Sequence, residues 1–284
     1  MSRDVESFQQ LDAELRSFYN RNSGYFEHAA DINSEMSPER AALFSWIKAG
    51  ERVLDVGCGP GDNGVHLGQR SRYFGCDVSF LALGMAAKTL GKRAAGFAQV
   101  DSRALPFGDG SFDAVISTYA LEHMVFPRES LDEMWRVCRS TGRIILISPA
   151  YDNPFELPPS TGHWPAWSRF GMVARQAWRQ AVRHMQPRRF YFARIERPRV
   201  LTETYQSDFD AVHLVSAREI ANYFKTKRGD ILYERKRAPR PIPAAASWRL
   251  RMREVARNLA LRCHIGEYSG QNLQLVVEKR VGAK

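Results

Sequence analysis

The spacing of apolar positions changes character twice along the chain. Phe8, Leu11, Leu15 and Phe18 recur every three or four residues, the period of one helix face. The aromatic stretch FYNRNSGYFEHAA then reads as a turn region. A second helix opens at Ser37-Pro38-Glu39-Arg40, because serine before a proline at the first helical position is a start signal. From Arg52 short apolar runs take over: RVLDV, RYFGCDV, AGFAQVD, FDAVISTY and RIILIS, with SLDEMWRVC at helical spacing between the last two. Strands separated by helices imply a parallel sheet covered on both faces.

After Ser148 this rhythm stops. Residues 149–212 are rich in proline, aromatics and arginine, and the spacing predicts a helix from Pro165 to Met185. The alternation resumes with a helix over Ala217 to Thr226 and a strand over Asp230 to Arg235. A connector RAPRPIPAAA, a helix near Ser247 to Cys263 and a last strand NLQLVVEKR follow. The expected organisation is a helical cap over 1–48, a ligand-binding core over 49–150 and an inserted substrate or lid region over 151–212. Residues 213–284 return to the core, with a helical insertion at about 237–264.

Composition adds limits. With 284 residues, 44% of them hydrophobic, the chain can bury a full core. Its longest apolar runs, inside Arg143 to Ser148 and Leu273 to Val277, fall far short of the roughly 20 residues of a spanning helix. MSRDVESFQQ lacks the apolar centre of a signal peptide, so a cytoplasmic location is expected. Cys58, Cys76, Cys138 and Cys263 have neither zinc-site nor disulfide spacing and are expected to be reduced and buried; the seven histidines form no H-x-x-x-H pair, and no metal is expected. The net charge of +10 is lopsided: residues 1–150 carry 16 basic and 19 acidic side chains, net −3, and the remainder carries net +13.

The stretch DVGCGPGDNG, Asp55 to Gly64, contains two overlapping glycine motifs. Gly59, Gly61 and Gly64 spell a dinucleotide loop; Gly57, Gly59 and Gly61 spell a loop for S-adenosylmethionine. Either would bring backbone close to a ligand at a helix N-terminus. Asp77, ending the second strand, suits a ribose diol in both. Asp55 does not suit both, since a carboxylate there repels pyrophosphate and attracts an ammonium group, directly or through water. Gly64 then reads as a packing position between helix and sheet.

VLDVGCGPG, GCDVS, VDSRALPFGDGSFDAVIS and ALEHM, in that order, resemble the class I S-adenosylmethionine-dependent methyltransferases, the group that includes the ubiquinone and menaquinone C-methyltransferases. The resemblance is dense over about Arg52 to Ser148. It implies a Rossmann-like α/β sheet of seven strands, the last antiparallel beside the fifth, with S-adenosylmethionine as cofactor. By the same resemblance Gly57, Gly59 and Gly61 pass under the methionine and ribose, and Asp55 holds the amino group. Asp77 takes the ribose hydroxyls, Asp101 and Ser102 face the adenine, Tyr25 is the candidate for an aromatic lid over the methionine end, and Val78 and Tyr119 are further cofactor contacts. His123 occupies the position where the family often places a substrate-facing or catalytic residue, while Glu122 reads as a surface or helix-start carboxylate.

The acceptor is expected to be small or carrier-linked. His163, Trp164 and His213 in the insertion are candidate acceptor contacts. Arg175 and Arg179, with Arg183, lie at four-residue spacing on the helix from Pro165, and Trp167, Phe170, Ala174, Trp178 and Ala181 lie largely on another side; one reading is a solvated lid helix packed on the core by that aromatic side, the other a binding surface. Such a basic segment suits a phosphate-bearing acceptor, an acidic carrier or the surface of an anionic membrane. Charge alone would fit RNA, but no RNA-binding module is recognised, and the Asn/Asp-Pro-Pro-Tyr pattern of exocyclic-amine methylation is missing. O-methylation of a saccharide or specialised metabolite is the expected activity, with quinone-type C-methylation, RNA methylation and cofactor binding without catalysis as rivals.

Overall fold

The computed structural model describes residues 3–33, 35–198, 209–236, 242, 247–262 and 272–282. Cys263, Arg199 and most of the proline-rich connector lie outside the described residues. Three helices come first, α1 (Arg3–Tyr19), α2 (Ser23–Asn33) and α3 (Pro38–Phe44). The alternating region follows as β1 (Arg52–Val56), α4 (Asp62–Leu67), β2 (Arg72–Asp77), α5 (Phe80–Leu90), β3 (Ala94–Gln99), β4 (Phe112–Thr118), α6 (Pro127–Val137) and β5 (Cys138–Ser148). Then come α7 (Ala166–Met185), α8 (Ala217–Thr226), β6 (Gly229–Glu234), α9 (Trp248–Arg262) and β7 (Leu273–Lys279).

The strands form one seven-stranded sheet in the order β3-β2-β1-β4-β5-β7-β6. β7 runs antiparallel to β5, with Ser148 opposite Leu273, so the resemblance's expectation about the last strand holds. Both faces are covered. Leu54, Val115, Ile144, Leu146 and Val277 pack beneath α6 and α8, while Val53, Ile116, Ile145 and Val276 pack beneath α3 and α4. Ser37 caps α3 by accepting from Arg40 N–H at 3.2 Å, as its sequence position predicts.

Three expectations fail. FYNRNSGYFEHAA is largely helix α2, whose Tyr25 and Phe26 pack on α1 and α5 instead of marking a turn. Glu122 is 1% exposed: it faces inward, its carboxylate accepts from Ser148 Oγ at 2.9 Å, and its carbonyl accepts from Val212 and His213 N–H. The third concerns α7. Its inward side carries Gln176, Val182 and Arg183, and Arg183 pairs with buried Glu219 of α8 at 3.4 Å, so the helix turns its aromatic side outward.

Asp55, in the middle sheet, is wholly buried; Oδ2 accepts from Tyr73 Oη at 2.6 Å and Asn63 Nδ2 at 3.0 Å. Desolvation outweighs these bonds and pushes its carboxyl up to about 6. Gly64 packs as the sequence indicates: a Cβ there would lie 2.5 Å from Leu90 Cδ1 and 2.7 Å from Tyr73 Cε1.

Two stability measurements follow from this packing. Gly64→Val should lower the unfolding free energy in urea by about 1–3 kcal/mol through overpacking; no loss would show that the helix is free to move off the sheet. Because the folded carboxyl of Asp55 titrates above its unfolded value, its ionisation costs stability as pH rises from about 4 to about 6. Asp55→Asn should therefore gain stability relative to the parent between pH 4 and pH 7, by about 3 kcal/mol at most, and a pH-independent difference would remove the buried charge from the account.

Candidate active site

Parallel β1, β2 and β4 end on the same edge of the sheet, and the loop after β1 is pinned to the end of β2. Gly57 and Cys58 N–H both donate to Cys76 C=O, at 2.8 and 3.0 Å. One residue on, Gly59 N–H donates to Asp77 Oδ2 at 2.9 Å, while Ser79 N–H donates to Asp77 Oδ1 at 2.9 Å. Burial raises the Asp77 carboxyl, and these N–H groups act against that shift. The loop needs its glycines. Gly57 has φ +74° and a Cβ would fall 2.6 Å from Ala120 Cβ; Gly59 has φ +53° with open space beyond it.

Above this edge lies a cavity of about 420 Å³, within the range of about 300–1,000 Å³ usual for small-molecule sites. Of the expected cofactor residues, Tyr25, Gly57, Gly59, Asp77, Val78, Asp101, Ser102 and Tyr119 line it, as does His123. Gly61 shapes the loop from outside the lining, with φ +90° as it starts α4. Asp55 is also outside the lining, screened by the glycine loop, and reaches the cavity through Asn63. That amide donates to Asp55 Oδ2 and to Thr118 Oγ1 at 2.8 Å, and its buried Oδ1 has no hydrogen-bond partner among the described residues. Nearby, Arg40 lines the cavity 5.7 Å from the Tyr119 ring centroid. Desolvation pushes Asp62, also in the lining, up to about 6.

One end of the cavity is ionic. Asp101 Oδ2 meets Arg16 at 2.5 Å and Arg103 at 2.6 Å, and Asp12 bridges the same two guanidinium groups at 2.9 Å each. Burial opposes the charge on Asp101, but Arg103 and Arg16 hold its carboxyl below the ordinary range. Ser102 Oγ lies 2.7 Å from Ser130 Oγ.

The other end is aromatic and is organised by Asp210. Its Oδ2 accepts from Tyr19 Oη at 2.6 Å and Tyr25 Oη at 2.9 Å and lies 3.2 Å from His123 Nδ1. On the far side of the ring, Nε2 is 3.8 Å from Glu122 Oε1. His123 thus sits between two carboxylates at the cavity wall.

The predicted acceptor residues are not part of this cavity. His163 is exposed and Trp164 donates from Nε1 to Arg197 C=O at 3.0 Å, because that turn packs on the Tyr151 and Ile195 cluster. Arg175 is exposed on α7, and Arg179 lies 5.8 Å from the Tyr191 ring centroid. His213 is a core residue: Nδ1 lies 3.2 Å from Leu121 C=O and burial pushes the ring down to about 3. Sequence reasoning missed Asn63, Arg40, Arg16, Arg103 and Asp210. Asn63 was within the quoted glycine stretch, and Arg40 within the helix start. Asp210 had no local signal, since Tyr19 is 191 residues away in the chain. Among the described residues no group of three or more His, Cys, Asp or Glu could hold a metal ion.

Comparison with known proteins bears on this arrangement. Residues 54–146, about a third of the chain, match the family described as "Methyltransferase domain". A demethylmenaquinone methyltransferase of Clavibacter sepedonicus is 35% identical over 39% of this chain and 44% of its own, and one of Deinococcus radiodurans is 32% identical over 48% and 53%. An O-methyltransferase of Penicillium expansum, cnsE, is 32% identical over 37% and 40%. The chain thus spans about half the length, or less, of these curated relatives. A solved structure of Burkholderia thailandensis 1,6-didemethyltoxoflavin-N1-methyltransferase, holding its substrate and S-adenosylhomocysteine, shares the fold with a TM-score of 0.54 at 17% identity, over 96% of this chain and 90% of that one. Residues 54–146 thus carry a methyltransferase domain, set in a chain that shares its fold with the solved methyltransferase.

Proposed function

We propose that the protein transfers a methyl group from S-adenosylmethionine to a hydroxyl oxygen of a small or carrier-linked acceptor, of the saccharide or specialised-metabolite class. The observation that carries the cofactor reading is the Asp77 carboxylate, fixed by Gly59 and Ser79 N–H at the cavity wall, where a ribose diol can be received. Two further features fit the same molecule. The space over Gly59 is open to a ligand, and the partnerless Asn63 Oδ1 supplies an acceptor for an ammonium group, backed by buried Asp55. Arg40 supplies a cation for the amino acid's carboxylate, and the Asp101 quartet with Ser102 borders the adenine end.

When bound, the cofactor supplies an electrophilic methyl group. The protein's own residues supply position, exclusion of water and a proton acceptor. Tyr19, Tyr25 and Phe26 cover the site, keeping water from the reacting atoms. His123 receives the hydroxyl proton at Nε2, the nitrogen that Asp210 does not face. Asp210 and Glu122 then stabilise the imidazolium on either side. A second reading, carbon methylation of a quinone-type acceptor, draws support from the demethylmenaquinone methyltransferases among the relatives and uses the same cofactor residues.

Calorimetry with S-adenosylhomocysteine should show binding that Asp77→Ala weakens by roughly tenfold or more, through loss of a charged acceptor. Unchanged affinity would refute the ribose role, and binding of NAD in its place would overturn the cofactor. With an acceptor found by labelled-methyl transfer into metabolite extracts, His123→Gln should cut kcat by about 10²–10⁴-fold while S-adenosylhomocysteine affinity stays as it is. Mass spectrometry of the product distinguishes oxygen from carbon methylation.

A further inference from the structure

Helix α7 is amphipathic, yet it is mounted with its apolar side to solvent. Trp167, Phe170, Ala174, Trp178, Ala181 and Met185 form one stripe at spacings of three and four. In the fold Trp167 is 76% exposed, Phe170 75%, Trp178 56% and Met185 74%, whereas the buried positions are Gln176, Val182 and Arg183. This orientation is anchored, because Arg183 and Glu219 are both buried and pair with each other. Singly scattered apolar residues on a surface are ordinary; a continuous aromatic stripe along a 20-residue helix is an interaction surface.

Charge decides what covers it. α7 contains neither Asp nor Glu, Arg169 and Arg175 are exposed on it, and exposed Arg188 and Arg189 follow its C-terminus. Pairing with a second copy through this face would bring like charges together without a compensating acid on either helix. A surface of phosphate headgroups over hydrocarbon satisfies both components at once, taking the tryptophans at the boundary and the guanidinium groups on the phosphates. No helix among the described residues is long and apolar enough to cross a membrane, so the contact is one that lies in the surface. Helix α9 repeats the arrangement: Trp248, Met252, Val255 and Leu259 form a stripe at spacings of four, three and four, each at least half exposed.

We propose that α7 is an interfacial helix that lays its Trp167-to-Met185 stripe into the headgroup region of an anionic lipid bilayer, with Arg169, Arg175, Arg188 and Arg189 on the lipid phosphates. This holds whichever acceptor is methylated.

The test is flotation of the full chain with phosphatidylcholine vesicles, with and without phosphatidylglycerol. The expected result is recovery with the phosphatidylglycerol vesicles, release by salt, and a drop of roughly tenfold or more in partitioning for the triple variant Trp167→Ala, Phe170→Ala, Trp178→Ala. The stripe is exposed, so the variant should keep its urea midpoint. Tryptophan quenching of the unaltered protein by bromine-labelled phosphatidylglycerol vesicles gives a readout that needs no variant. Absence of binding to phosphatidylglycerol vesicles, lack of quenching, a folded triple variant that floats like the parent, or a sedimenting dimer that the triple variant dissolves would each overturn the proposal.

Discussion

The structure turns on the way the loop after β1 is tied to the end of β2. One backbone carbonyl, that of Cys76, takes two successive N–H groups of the loop, and the next residue's carboxylate takes a third. Those bonds are what place the glycines beneath the cavity and aim Asp77 into it. They work only because β1 and β2 run parallel in a register that sets Val56 beside Cys76. Everything else about the site hangs from that edge: Asn63 is delivered by the helix that leaves the loop, Ser79 by the helix that leaves β2, and Tyr119 and His123 by the chain that leaves β4.

Enclosure comes from elsewhere. Helices α1 and α2 contribute their aromatic faces, and Phe8, Leu15, Tyr19 and Phe26 pack on Ala82, Val125 and Val212, bringing the start of the chain against the end of the insertion. At one end the alternating charges of Asp12, Arg16, Asp101 and Arg103 stitch α1 to the loop after β3. Elsewhere a stacked guanidinium does the joining, Arg194 lying 4.1 Å from the Phe8 ring centroid and 5.5 Å from that of Phe126. The floor is thus made of backbone hydrogen bonds within one βαβ unit, whereas the cover is made of side chains from distant parts of the chain.

That division explains how much could be read from sequence. Floor residues sit within short motifs whose period and glycine spacing carry geometric information, so β1, the loop, Asp77 and Asp101 were legible, and Gly64 was recognisable as packing. The cover depends on which segments meet, and local pattern is silent on that. Asp210 resembles any loop aspartate until Tyr19, Tyr25 and His123 converge on it. Glu122 looked like a solvent carboxylate because its burying partners, Ser148 and the backbone of Val212 and His213, come from later in the chain. Periodicity correctly placed α7 as an amphipathic helix, but amphipathicity does not say which side faces the core. The Arg183 and Glu219 pair made that choice, and an internal ion pair cannot be told from a solvated arginine by spacing.

The cover's central contact is economical in atoms: Tyr19, Tyr25 and His123 all address the same oxygen, Oδ2 of Asp210. Two hydroxyl groups already donate to that oxygen, and the imidazole nitrogen stands third, 3.2 Å away. One carboxylate oxygen thus fastens both tyrosines of the cover and stands beside the histidine, so the three side chains are not independent of one another.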